Sequence, residues 1–211
     1  MISRNHGVTP VCVLKTSDEY TIKHAQWLAA QMPWIVCLSD VPVPGVETIR
    51  LRYDWPGWWS KMELFRPDLK GDLLYFDIDT VITGDISALF NVGKTTMLSD
   101  FYKPHMPASG LMYIAQQDKA IAWHHWMKKP EANMRQCRTR EHWGDQGFLR
   151  KHLPHQRWDD VLPGQIVSYK VHCQRGLPAT AKVVCFHGQP RPWDVKKHWI
   201  PPYGGKLQAN T

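Results

Sequence analysis

A chain of 211 residues, 43% of them hydrophobic, has enough apolar surface for one core of moderate size. That composition excludes a disordered chain, and no uninterrupted apolar run reaches the roughly 18 residues of a membrane-spanning helix. The formal net charge of +7, from 26 basic and 19 acidic residues, favours anionic partners: nucleotide, nucleic acid or anionic lipid.

Five cysteines, an odd number without paired spacing, point to reduced thiols and a cytoplasmic location. The polar start, Met1 to Pro10, does not read as a signal peptide. Val11–Leu14 is the first predicted strand. Thr16-Ser17-Asp18 reads as a helix cap, and Ile22, Ala25, Leu28, Ala29 and Met32 then recur near helical spacing. Trp34–Leu38 and Val46–Leu51 are the next strands. Strand, helix, strand in that order predicts a parallel sheet. An aromatic loop, Tyr53–Trp59, leads to a short helix over Ser60–Phe65. Later predictions are a helical turn at Ile86–Phe90, strands at Thr96–Ser99 and Gly110–Ala115, and helices over Asp118–Lys129 and Glu141–His152. In the first of these helices Ile121, Ala122, Trp126 and Met127 are the candidate inner positions. Ile166–Tyr169 and Val183–Phe186 are late strands. From Pro190 onward the prolines and Gly204-Gly205 predict a loop or lid. The expected class is one α/β domain over residues 1–211, with no internal repeat.

The central strand carries the chemistry. Leu73-Leu74-Tyr75-Phe76 runs straight into Asp77-Ile78-Asp79, and a second apolar pair, Val81-Ile82, follows. In extended chain, residues two apart point to the same side, so Asp77 and Asp79 are expected on one face. Two carboxylates there repel one another and lose hydration, and a divalent cation is the simplest compensation. Asp-x-Asp alone also occurs as a turn or helix cap. A second group, Cys185-Phe186-His187-Gly188-Gln189-Pro190-Arg191-Pro192-Trp193, follows a strand. There His187 is presented at a strand end, Gly188 permits close backbone approach, and Arg191 can hold phosphate in a bidentate fork. Weaker groups are Ser99-Asp100, Ala108-Ser109-Gly110 and Gly144-Asp145-Gln146-Gly147. His172-Cys173 with Cys185 and His187 hints at zinc, but no Cys-x-x-Cys accompanies them. Neither a Walker loop nor Gly-x-Gly-x-x-Gly is present.

The ordered set is more specific than its members. Thr16-x-x-x-Tyr20 is followed by Lys61, Asp77-x-Asp79, Ser109-Gly110, Asp145-Gln146-Gly147 and His187-Gly-x-x-Arg191-Pro-Trp193. From about Val11 to Trp193 this order resembles family 8 of the glycosyltransferases, the glycogenin and bacterial galactosyltransferase-like group, and in particular its small bacterial or phage-type members. The resemblance implies a single-domain GT-A fold with a mostly parallel central sheet, and a lid at about 190–211. It implies a nucleoside-diphosphate sugar donor, foremost a UDP-sugar, with Mn²⁺ or Mg²⁺, and transfer with retention of configuration. Asp77, Asp79 and His187 would be the metal ligands, a donor set of hard oxygens and imidazole that suits Mn²⁺. Arg191 would assist at the phosphates, where the family often has lysine. Thr16 and Tyr20 match the base and ribose region. Lys61 matches a basic residue near phosphate and sugar, and Ser109 and Gly188 complete the donor-binding set. Asp100 and Asp145-Gln146 match residues around the sugar and its anomeric carbon. Ala108, where the family often has asparagine, and His142, where some members are acidic, depart from the pattern and bear on the donor sugar. The acceptor is open between a glycan, a protein and a hydroxylated base in DNA. Trp55, Trp58 and Trp59 are candidates to stack on it or to pack under their own loop. The rival classes are a metal-dependent nucleotidyltransferase and a non-catalytic nucleic-acid-binding protein.

Overall fold

The computed structural model describes residues 7–204. Its first strand, β1 (Val8–Leu14), divides its side chains between two cores: Cys12 and Leu14 face one, Val11 and Val13 the other. Helix α1 (Ile22–Gln31) crosses to β2 (Val36–Ser39), and β3 (Glu47–Arg50) pairs outside it. The helix starts later than Thr16-Ser17-Asp18 predicts. Ser17 Oγ accepts the amides of Glu19 and Tyr20, at 3.3 and 3.0 Å, and closes a local turn that competes with the helix. The cap is Thr21, whose amide donates to His24 Nδ1 at 2.9 Å.

The short helix expected over Ser60–Phe65 is a 3₁₀ segment, Gly57–Phe65. It is anchored by Glu63, a fully buried carboxylate. Glu63 accepts the amides of Arg52 and Tyr53, at 2.8 and 2.9 Å, and the Arg66 guanidinium at 2.6 Å. A buried charge met on all sides in this way costs little, and it fixes the loop that presents Lys61. Next come β4 (Asp72–Phe76), β5 (Thr80–Ile82), β6 (Thr96–Ser99) and β7 (Pro107–Ile114). Helix α2 (Gln116–Lys128) buries Lys119, Ala122 and Trp126, an i, i+3, i+7 stripe. Ile121 and Met127 fall off that stripe and are exposed, contrary to expectation. Lys119 Nζ donates to the carbonyls of Leu69 and Gly71, at 2.9 and 2.5 Å, and so ties the turn before β4 to α2.

The remaining α-helices and strands are α3 (Pro130–Gln136), α4 (Gly144–His152), β8 (Gln156–Arg157), α5 (Trp158–Val161), β9 (Ile166–Ser168), α6 (Tyr169–His172) and β10 (Val183–Cys185), and the turn expected at Ile86–Phe90 is a 3₁₀ segment, Ser87–Asn91. The main sheet has the order β3-β2-β1-β4-β7-β6-β8. Strands β3, β2, β1 and β4 are parallel, β7 is antiparallel to β4 and β6, and β8 is parallel to β6. A small sheet, β5-β10-β9, lies beside it. The main sheet is covered on both faces, which is why its inner strands read as unbroken apolar runs. The tail contains a short 3₁₀ turn, Pro192–Asp194, and its described part packs against α1. Trp193 sits edge-on to Trp27, and Trp27 Nε1 donates to Pro201 O at 3.1 Å. Residues 205–211 of the predicted lid, and Met1 to His6 of the polar start, lie outside the described residues. All five cysteines are buried and free, and no helix among the described residues is long and apolar enough to cross a membrane.

Candidate active site

Because β7 runs antiparallel to β4, the start of β7 and the end of β4 meet at one edge of the sheet. The Asp77 amide donates to Gly110 O at 2.9 Å and extends that ladder by one rung. The chain then turns. Thr80 N bonds Asp77 O at 3.1 Å, so Asp77-Ile78-Asp79 is a tight turn and not the extended strand assumed from the sequence. The turn is forced by the change of sheet, from β4 in the large one to β5 in the small one. The two carboxylates still open on one cavity of about 500 Å³. Gly110 makes room for the first of them: a Cβ there would lie 3.2 Å from Asp77 Oδ2.

Two protein cations answer these acids. Lys61 Nζ lies 2.9 Å from Asp77 Oδ1 and 3.5 Å from Asp145 Oδ2. Burial works against its charge, and the carboxylates of Asp145 and Asp77 more than offset this, holding the lysine well above its usual range. Asp77 also accepts the Tyr75 hydroxyl, and Asp145 accepts Ser109 Oγ at 2.6 Å. Arg191 forms ion pairs with Asp79 and Glu19, and the Tyr20 hydroxyl donates to Asp79 Oδ2 at 3.3 Å. Two cations among four carboxylates leave an excess of negative charge. Burial, then the neighbouring Asp77, pushes the Asp79 carboxyl up to about 7 against the pull of Arg191 and Lys61.

Of the residues singled out from the sequence, Tyr20, Lys61, Asp77, Asp79, Asp100, Ser109, Asp145, Gln146, His187, Gly188 and Arg191 all line this cavity. Thr16 does not. Its hydroxyl and amide turn to Asp40, at 2.7 and 3.0 Å, while Ser17 and Glu19 reach the cavity wall. His142 is exposed and lies outside the lining. The expected ligand triad is not assembled. Among the described residues no three His, Cys, Asp or Glu side chains are grouped closely enough to hold an ion. His187 Nε2 instead pairs with Ser168 Oγ at 2.7 Å, and its ring stacks on Phe101. Lys61 and Arg191 supply the positive charge that the sequence reading assigns to a metal. The donor types nonetheless fit a divalent cation: two carboxylates in excess negative charge, and an imidazole that burial lowers to about 4 and so keeps neutral.

Sequence reasoning missed Tyr75, Glu19 and Ser168, which hold Asp77, Arg191 and His187, and Tyr102 and Trp143, which form the rim. Of the three loop tryptophans, Trp55 and Trp59 are core. Trp59 stacks on Trp126, and Trp55 stands edge-on to the same ring. Trp58 is 48% exposed and lines the cavity beside Trp143, their centroids 6.1 Å apart.

No protein-family model matches the chain, and no curated protein matches it significantly in sequence. Solved structures resemble it in fold. The glycosyltransferase GlyE of Streptococcus pneumoniae TIGR4 superposes with a TM-score of 0.61 at 14% identity, over 88% of this chain and 56% of GlyE. The galactosyltransferase LgtC, solved in complex with donor and acceptor sugar analogs, superposes with a TM-score of 0.52 at 12% identity, over 88% of this chain and 89% of LgtC. The bifunctional glycosyltransferase WbbM gives 0.52 at 12%, over 90% of this chain and 47% of WbbM. The chain thus spans just over half the length of GlyE and under half of WbbM. These likenesses establish the fold: a mixed α/β domain with a mostly parallel seven-stranded sheet, of the glycosyltransferase A type.

Proposed function

We propose that the chain is a metal-dependent glycosyltransferase, and within that class a family 8 enzyme. It moves a sugar from a nucleoside-diphosphate donor, foremost a UDP-sugar, to an acceptor hydroxyl with retention. The observation that carries this reading is convergence. Residues from β4, β7, α4, the 3₁₀ segment and the tail, separated by more than a hundred positions, line one cavity at a sheet edge. That is where open α/β sheets bind ligands.

Asp77 and Asp79, with His187 brought off Ser168, would hold the cation, Mn²⁺ or Mg²⁺. When bound, it offsets the charge that develops on the departing diphosphate. The chain's own groups divide the other tasks. Arg191 can trade Asp79 for the diphosphate, since a guanidinium suits either oxyanion. Lys61 holds Asp77 and Asp145 apart in charge and together in space. Asp145, fixed by Ser109 and Lys61, and its neighbour Gln146 border the anomeric carbon, with Asp100 on the sugar. Tyr20 stands at the ribose side. In the transfer the acceptor oxygen bonds to the anomeric carbon and the bond from that carbon to the diphosphate breaks. The hydroxyl proton leaves with the nucleoside diphosphate. A cytoplasmic setting accords with five free thiols.

A thermal-shift panel of UDP, GDP, CDP and ADP, with and without Mn²⁺, tests the reading on the wild type and Asp79→Asn. Ligands that bind only the folded state raise its apparent stability. A shift for one nucleotide that needs Mn²⁺ and disappears in the variant is the expected result. No shift with any nucleotide rejects the donor site.

A further inference from the structure

A second cavity, of about 240 Å³, opens beside the first and shares Asp100, Tyr102, Trp143 and Gln146 with it. The shared residues lie at the end assigned above to the sugar and its anomeric carbon. This cavity is therefore placed where an acceptor would meet the donor. Its wall has two unusual components. Tyr102 and Trp143 are large rings left 65% and 54% exposed, on a surface where most large apolar side chains are covered. Lys103, Arg140 and Arg150 are three cations with no carboxylate at ion-pair distance among the described residues.

Both components are positioned. Asp100 Oδ1 accepts the amides of Tyr102 and Lys103, at 2.8 and 2.9 Å, which fixes the loop that offers both side chains. Trp143 sits at the foot of α4, where Gly144 N bonds Cys137 O at 2.9 Å and a bridge pairs Arg138 with Trp143. Exposed aromatic faces are the usual platform for the C–H face of a sugar ring, because an apolar plane with a polar edge matches both. Guanidinium and ammonium groups without a carboxylate partner beside them, Arg150 donating only to Met106 Sδ at 2.7 Å, select a negative substituent.

We propose that this second cavity is the acceptor site and that it takes an anionic saccharide. The ring lies against Trp143 and Tyr102, and a phosphate or carboxylate on that saccharide is held by Lys103, Arg140 and Arg150. This rests on the glycosyltransferase reading and narrows it. Nucleic acid is the other anionic candidate, and the cavity argues against it. A strand needs a basic groove that tracks several phosphates, whereas here the free cations share a pocket sized for one ring and its substituent. Asp100 and Glu141 stand in the same wall; carboxylates accept sugar hydroxyls and repel a polyphosphate chain.

The test is ligand-observed NMR titration in saturating UDP and Mg²⁺, the diamagnetic of the two candidate cations. The probes are methyl glucoside, glucuronate, glucose 6-phosphate and a short oligothymidylate. Glucuronate or glucose 6-phosphate should bind at least about tenfold more tightly than methyl glucoside, a difference of about 1.4 kcal/mol. Arg140→Gln should remove most of that preference without changing the UDP dissociation constant, and Trp143→Ala should weaken every saccharide. Equal binding of neutral and anionic sugars, no saccharide binding, an Arg140→Gln protein that keeps the preference, or tighter binding of the oligothymidylate would each overturn the proposal. Failure of the wild type to bind UDP is a separate result: it rejects the UDP donor, and failure with GDP, CDP and ADP as well rejects the transferase reading beneath it.

Discussion

Two chains of charge line the same cavity and are built differently. One runs Tyr75, Asp77, Lys61, Asp145, Ser109, with its lysine and Asp145 largely buried. The other runs Tyr20, Asp79, Arg191, Glu19. It ends in a half-exposed glutamate, and its cation comes from the tail. The first cation is a point charge held between two acids, over the ring of Tyr75. The second is a planar fork that already divides itself between two carboxylates. The contrast teaches a division of labour: the lysine network is scaffolding that the chemistry leans on, and the arginine network is free to change partners when a ligand arrives.

The largest effect should come from removing a carboxylate. Asp79→Asn, and equally Asp77→Asn, should cut the rate of nucleoside-diphosphate release by about 10³-fold while the protein stays folded. A variant that retains full turnover would end the enzyme reading. Lys61→Met separates the two networks by stability. It leaves buried Asp145 without its cation, beside a part-exposed Asp77, and should cost about 3 kcal/mol in chemical denaturation. Arg191→Gln should cost only about 1 kcal/mol, because Glu19 is half in water and Asp79 can take up a proton. If the two losses are equal, the contrast is wrong.

A smaller effect is visible in pH. The folded carboxyl of Asp79 titrates near 7, above its unfolded value of 3.8, so the folded state binds the extra proton between those limits. Its contribution therefore favours folding at low pH and is lost as pH rises through 7. The melting temperature of Asp79→Asn should gain on that of the wild type between pH 5 and pH 8. Smallest of all, Trp58→Ala should change stability by less than about 0.5 kcal/mol, since that ring is half exposed at the rim.

The acidic pair and its strand were legible because an apolar run ending in two acids is a local pattern. The shape between them was not, since nothing in Asp-Ile-Asp announces that the chain is changing sheets. Helix α3 was hidden by Pro130, which reads as a stop and serves instead as the first residue of a new helix, where its missing N–H costs nothing. The apolar pattern predicts β7 from Gly110 onward. It starts at Pro107, and a register shift opposite Met97 and Leu98 lets Ser109-Gly110 lie inside the strand. The ring of candidate residues was legible as an ordered set, and Thr16 was the member that the local turn diverted to Asp40. The pairing of Glu19 with Arg191 spans 172 positions, and no pattern along the chain could supply it.

The Asp77–Thr80 turn joins the two sheets, so the acids sit on a seam. One is tied to Gly110 in the large sheet, and the other leads into β5 of the small one. Whatever bridges Asp77 and Asp79 also fastens the sheets to each other. Occupancy should then slow amide exchange in β9 and β10, which belong to the small sheet, along with exchange in β4. The interior of the small sheet would report on a ligand through the cooperativity of opening, without either of those strands having to move.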